Sequence, residues 1–170
     1  VKKRTFRVSF VSLVVLIIVS LVHFSNAEAY SLKAWTIRNP VNFIPHQDFG
    51  STSISHMNSG LAKWNYQIGE TLMTRHPTTR HTYSNYPLRE GINRVYRVPV
   101  GTDEYLGQNT TYYSLLTATV EDTDININVS HPWANSAQPG KYDLYTVFLH
   151  EAVHAAGLGH SSYTAAVMYA

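Results

Sequence analysis

The sequence predicts an α+β domain, and two kinds of periodicity carry that prediction. Apolar residues recur at three- and four-residue steps in two stretches, one early and one near the C-terminus, whereas the runs before and between them are short and strand-like. A chain of 170 residues suits a single domain, and 44% hydrophobic against 14% charged residues is the composition of a packed globular protein, which excludes a disordered one. No internal repeat and no second domain are visible.

Residues 1–29 read as a signal peptide. Lys2, Lys3, Arg4 and Arg7 form a basic start, an apolar stretch runs from Val8 to Val22 and breaks at His23, and Ala27-Glu28-Ala29 offers a cleavage site after Ala29, with Ala27 as the alternative. The mature domain then spans 30–170 and the protein is secreted. An uncleaved membrane anchor is the competing reading, disfavoured because the apolar run is shorter than the roughly 20 residues a spanning helix needs. Val1 in place of methionine fits an alternative start codon and so a prokaryotic source.

The leader also accounts for the charge. The whole chain has 13 Lys+Arg and 11 Asp+Glu; the leader holds four of the former and Glu28 of the latter, so a net charge of +2 becomes −1 without it. Arg89, Arg94 and Arg97 are the nearest approach to a basic cluster and read as solvated strand or loop positions, so no nucleic-acid surface is expected. There are no cysteines, so stability must come from the core, from metal, or from both.

The elements follow in order. Trp35, Ile37, Val41, Phe43 and Ile44 nearly alternate and predict a strand over 30–45, ended by Gly50 and Ser51. Ile54, Met57, Leu61, Trp64, Ile68 and Leu72 predict an amphipathic helix over Ser53–Thr74, with Ser51 to Ser53 as candidate N-caps and Met57 and Trp64 as core residues. Residues 91–100 alternate as a strand, Leu115–Val120 and Asp124–Val129 read as two more, and His131–Gly140 as a loop. Asp143 caps a helix over Leu144–Ala156 that turns Leu144, Val147, Phe148 and Ala152 inward, with Gly157 just past its end.

The chemistry is concentrated in that last helix, which continues as His150-Glu-Ala-Val-His154-Ala-Ala-Gly-Leu-Gly-His160. Histidines four apart on a helix project from one face, so His150 and His154 can reach a single ion. Glu151 projects to a neighbouring side, where its carboxylate can serve as general base toward a water. A catalytic zinc takes three protein ligands and leaves a position open, so a third ligand is needed. Gly157 lets the chain leave the helix through a backbone conformation that other residues resist, and His160 returns to the metal. An acidic third ligand is excluded, since no Asp or Glu occurs from Ala152 to Ala170. His46, His56, His76, His81 and His131 lack ligand spacing and read as surface or hydrogen-bonded residues.

These residues resemble the metzincin zinc peptidases, and within them the matrixins. The resemblance rests on HEAVHAAGLGH followed by Ser161, on Val167-Met168-Tyr169 as the methionine turn, and on Asp124-Ile125-Asn126-Ile127-Asn128 with Tyr142-Asp143-Leu144 upstream. The helix containing Trp64 fits the family's first helix. The resemblance implies a twisted, mixed sheet of about five strands with an N-terminal long helix and an active-site helix, and an antiparallel edge strand, assigned to Leu115–Val120, that takes an extended peptide by strand addition. It implies Met168 as an apolar base under the histidines and not a ligand.

Departures are also visible. The cysteine-containing inhibitory segment of animal matrixins is missing, so no thiol can hold the zinc latent. No counterpart of their structural zinc and calcium loop is found between Gly101 and Leu116, and one catalytic Zn2+ is expected. The family continues past its methionine turn into the wall of the specificity pocket and a final helix, whereas this sequence stops at Ala170, so a truncated C-terminal part is expected. The resulting expectation is a secreted, monomeric zinc endopeptidase acting on protein or peptide substrates, with no membrane association once the leader is removed. The alternative is a secreted zinc-binding protein of the same fold with impaired catalysis.

Overall fold

A computed structural model describes residues 31–82 and 89–169, and the expected signal peptide lies outside the described residues. The elements in chain order are β1 (Val41–Pro45), α1 (Ser51–Ile68), β2 (Met73–Arg75), β3 (Arg94–Val98), β4 (Gly107–Tyr113), β5 (Val120–Asn128), β6 (Trp133–Ala134), β7 (Tyr142–Asp143) and α2 (Leu144–Ala155). Five strands form one mixed sheet in the order β2-β1-β3-β5-β4, parallel except for β4, which runs antiparallel to β5 at the edge. This is the α+β architecture that the sequence predicts. Among the described residues no helix is long and apolar enough to cross a membrane.

Both helices bury an apolar stripe between themselves and one face of the sheet. Ile54, Met57 and Leu61 of α1 meet Leu144, Phe148, Leu149, Ala152 and Val153 of α2 and Phe43, Val95, Ile125 and Ile127 of the strands in one core. Burying an aromatic or large aliphatic side chain contributes about 1.5–3 kcal/mol, so the seating of α2 on the sheet is held by several such terms at once.

Helix α1 is shorter than predicted: it stops at Ile68 because Gly69 adopts the left-handed conformation, φ 76°, and donates its N–H to the Tyr66 carbonyl. Leu72 belongs to the turn beyond, where Asn65 Oδ1 accepts from the Leu72 and Met73 N–H groups. The start differs too. Ser51 and Ser53 lie inside the helix and do not cap it; the N-cap is Gly50, which has no side chain to offer.

Three strand assignments are corrected. Residues 31–40 do not join the sheet; they make isolated bridges at Leu32 and Thr36, and β1 begins at Val41. Residues 115–117 are a turn, closed by the Ala118 N–H to the Ser114 carbonyl at 2.8 Å, which leaves Leu115 and Leu116 exposed. The antiparallel edge strand is Gly107–Tyr113, a polar run without apolar alternation, because Asn109 and Thr111 bond to Thr123 of the neighbouring β5 and its outer edge is open.

Arg94 is also buried, not solvated, and pairs with Glu90. It lies on the polar side of the sheet, where Asp124 Oδ1 accepts from the Arg94 N–H at 2.8 Å and Asp122 Oδ2 accepts from the N–H groups of Glu90 and Gly91. These carboxylates anchor the segment that enters β3. Buried acids are tolerable here because they satisfy backbone donors that have no ladder partner.

Candidate active site

The site is built from α2 outward. Asp143 starts the helix as the sequence predicts, its Oδ1 accepting from the Tyr145 N–H at 3.2 Å and its Oδ2 from the Thr146 hydroxyl at 2.9 Å. Two turns later His150 and His154 stand one above the other with ring centroids 4.9 Å apart. The helix ends at Ala155, Gly157 turns the chain at φ +87°, and the returning segment lays His160 against both rings, at 5.2 Å from His150 and 4.9 Å from His154. One ring nitrogen from each of the three lies within 4.8 Å of the others.

What aims these nitrogens is a pair of backbone carbonyls. His150 Nδ1 lies 2.7 Å from the Val167 carbonyl, and His154 Nδ1 lies 2.7 Å from the Leu158 carbonyl. A carbonyl only accepts, so each Nδ1 carries the proton and each Nε2 keeps a lone pair for a metal. Burial lowers the His150 pKa, with His160 adding to it and the Val167 carbonyl opposing it. Burial likewise pushes His154 down to about 4, against its bond to Leu158. Both rings are therefore neutral at neutral pH, the form that ligates, and the donor set fits zinc.

Glu151 projects into the contact between α2 and β4. It is 7% exposed, and burial pushes its carboxyl up to about 7 in the metal-free protein, partly opposed by a hydrogen bond from the Asn109 backbone. At the start of β4 the chain carries Gly107, where a Cβ would come within 2.8 Å of Glu151 Cγ and 2.9 Å of Val147 Cγ1. The strand thus supplies both the space and a donor for this carboxylate.

Beside His150 a cavity of about 530 Å3 opens between the start of β4 and the segment after His160, lined by Leu106, Val147, Ala166, Val167 and Tyr169 among others. The far wall is the predicted methionine turn. Ser161 donates its N–H to the Met168 carbonyl at 2.7 Å, and Met168 is 4% exposed and packs in the main core.

Residues 101–170 match the family model of the matrixins. Over this stretch the chain is similar to the matrixins. A search of curated proteins gave no significant match. The matched span takes in β4, β5, α2 and the methionine turn, which are the elements that enclose the site.

Matrixins are zinc-dependent peptidases, and within the matched stretch the three predicted histidines come together as a group that could hold one ion. Among the described residues the other histidines do not. His46 and His81 are buried against each other and tied to backbone, His46 Nδ1 accepting from the Asp48 N–H and His81 Nε2 lying 3.0 Å from the Val95 carbonyl. The sequence reading missed Asn109, Gly107 and the two orienting carbonyls. The polar β4 carried no period to mark it, and any residue can contribute a carbonyl.

Proposed function

We propose that the protein is a secreted zinc endopeptidase with His150, His154 and His160 as ligands and Glu151 as general base. The observation that carries this reading is the convergence of three ring nitrogens, two of the rings fixed by carbonyls, beside a buried carboxylate at the helical position after the first ligand. A bound zinc supplies Lewis acidity that polarises a peptide carbonyl and makes water nucleophilic near neutral pH.

The chain's own residues do the rest. The open edge of β4 takes an extended peptide by strand addition, placing its scissile bond over the histidines. The cavity lined by Leu106, Val147 and Val167 receives an apolar side chain next to that bond. Glu151 accepts the proton of the attacking water and passes it to the leaving amine, the role of a carboxylate within reach of both. Export through the N-terminal leader and a monomeric mature protein belong to the same reading.

The test is cleavage of casein or gelatin by the secreted protein, with zinc content measured on the same sample. Cleavage abolished by a chelator and restored by zinc supports the endopeptidase. Stoichiometric zinc without cleavage overturns it in favour of a non-catalytic zinc protein.

A further inference from the structure

The segment directly before β1, which touches the main sheet only by a bridge at Thr36 beside the start of β5, runs along the loop that presents the third histidine. Gly159 donates its N–H to the Ser31 carbonyl at 2.6 Å, Ser31 donates to the His160 carbonyl at 3.2 Å, and Lys33 donates to the Gly157 carbonyl at 2.7 Å. Leu32 and Leu158 form an antiparallel bridge, and Trp35 Nε1 donates to the Ala155 carbonyl at 3.3 Å. The far end of the segment is fixed separately: Thr36 exchanges hydrogen bonds with Ala118 and Val120, and the Trp35 ring packs 5.0 Å from that of Tyr113.

The approach is close enough to dictate residues on the loop. A Cβ at Gly159 would come within 2.0 Å of Ser31 Oγ, and one at Gly157 within 2.6 Å of the Trp35 carbonyl oxygen. Both loop glycines are therefore constrained by the N-terminal segment. Leu158 matters twice, since its carbonyl orients His154 while its backbone bridges to Leu32. Backbone pairing along 31–33 thus bears on two of the three ligands, and residues 31–34 are themselves exposed, so the pairing holds the loop without being part of the core.

We propose that residues 31–36 act as a positioning strap whose pairing with 157–160 holds His160 and the Leu158 carbonyl in ligating geometry and so sets how firmly zinc is retained. This rests on the zinc reading above. Loss of a partner that orients a metal ligand typically costs 10–100-fold in affinity.

The experiment uses the mature protein loaded with zinc, or with cobalt(II) as a spectroscopic replacement. Lys33→Pro removes one donor of the strap. Gly159→Ala presses the Ser31 side chain aside against the strap, and adding Ser31→Gly removes the obstructing hydroxymethyl group while keeping the backbone bonds. Zinc release to an excess of chromophoric chelator should be about tenfold faster in Lys33→Pro and in Gly159→Ala, with a changed cobalt visible spectrum. The double variant Ser31→Gly/Gly159→Ala should return toward the parent in both readouts, which a general loss of stability would not produce. Release and spectra equal to the parent in both single variants, or no recovery in the double variant, overturns the strap. A parent protein that binds no stoichiometric zinc overturns the zinc reading and the strap together, whereas a parent that holds zinc beside unaffected variants overturns the strap alone.

Discussion

Two groups of histidines in this protein have nearly the same ring spacing and opposite meaning. His46 and His81 pack with centroids 5.2 Å apart at 87°, close to the 4.9 Å and 87° of His150 and His154. Proximity therefore does not distinguish them. The difference lies in what the ring nitrogens face. In the C-terminal group two carbonyls take the Nδ1 protons and leave each Nε2 a lone pair, and one nitrogen of each ring converges with one of His160. In the other group His81 Nε2 is committed to the Val95 carbonyl and His46 Nδ1 to the Asp48 N–H, and among the described residues no third ligand joins. A metal site thus requires orientation from its surroundings in addition to clustering.

The sharpest way to break this contrast is to remove one member from each group. His160→Ala should lose zinc by more than the roughly 10–100-fold that an orienting partner costs, and with it all proteolysis, whereas His81→Phe should keep parental zinc content. Metal analysis after dialysis against a weak chelator checks both, and loss of zinc from His81→Phe would show the two groups to be coupled.

Next in size, Glu151→Gln should leave zinc bound and lower turnover by about 10²–10⁴-fold, since it removes the proton acceptor and no ligand. Undiminished cleavage by that variant would sink the general-base assignment. Asp143→Ala should cost about 1 kcal/mol by removing the cap of the helix that carries both ligands, seen as a lower midpoint in urea with the denaturant slope unchanged.

A pH dependence also separates the groups in the metal-free protein. His81 is pushed down to about 4, first by burial, with its bond to Val95 opposing and nearby His46 and Arg94 adding. The unfolded ring takes a proton near its ordinary 6.5, so its share of stability is complete above about pH 6.5 and is lost as pH falls toward about 4. His150 and His154 titrate in the same direction in parent and variant alike. The parent should therefore lose more stability than His81→Phe between about pH 7 and about pH 4.5, measured as urea midpoints. Equal losses would mean that His81 is not held neutral by the fold.

Much of the site was legible because its parts are close in sequence. Helical spacing places His150 above His154, a turn residue lies where the chain must reverse, and His160 is within reach of both rings once it does. Asp143 was equally readable, since a cap acts on the next turn. Less was legible in the strands. The edge strand Gly107–Tyr113 has no apolar alternation, and the exposed Leu115 and Leu116 imitated a strand that the hairpin turn does not contain.

The two helices, the candidate ligands and the methionine turn follow from relations over about ten residues or fewer or from a motif that repeats a family pattern. What holds the three histidines in place follows instead from packing between distant segments. The Val167 carbonyl reaches His150 from 17 residues away, and the Trp35 indole reaches the end of the same helix across 120. Gly157 shows the two levels meeting: the left-handed turn explains it locally, and the Trp35 carbonyl 2.6 Å from where its Cβ would stand explains it again from the far end of the chain. Local periodicity encodes which face a side chain shares, whereas a backbone carbonyl carries no residue identity, so its partner is set only when distant segments pack.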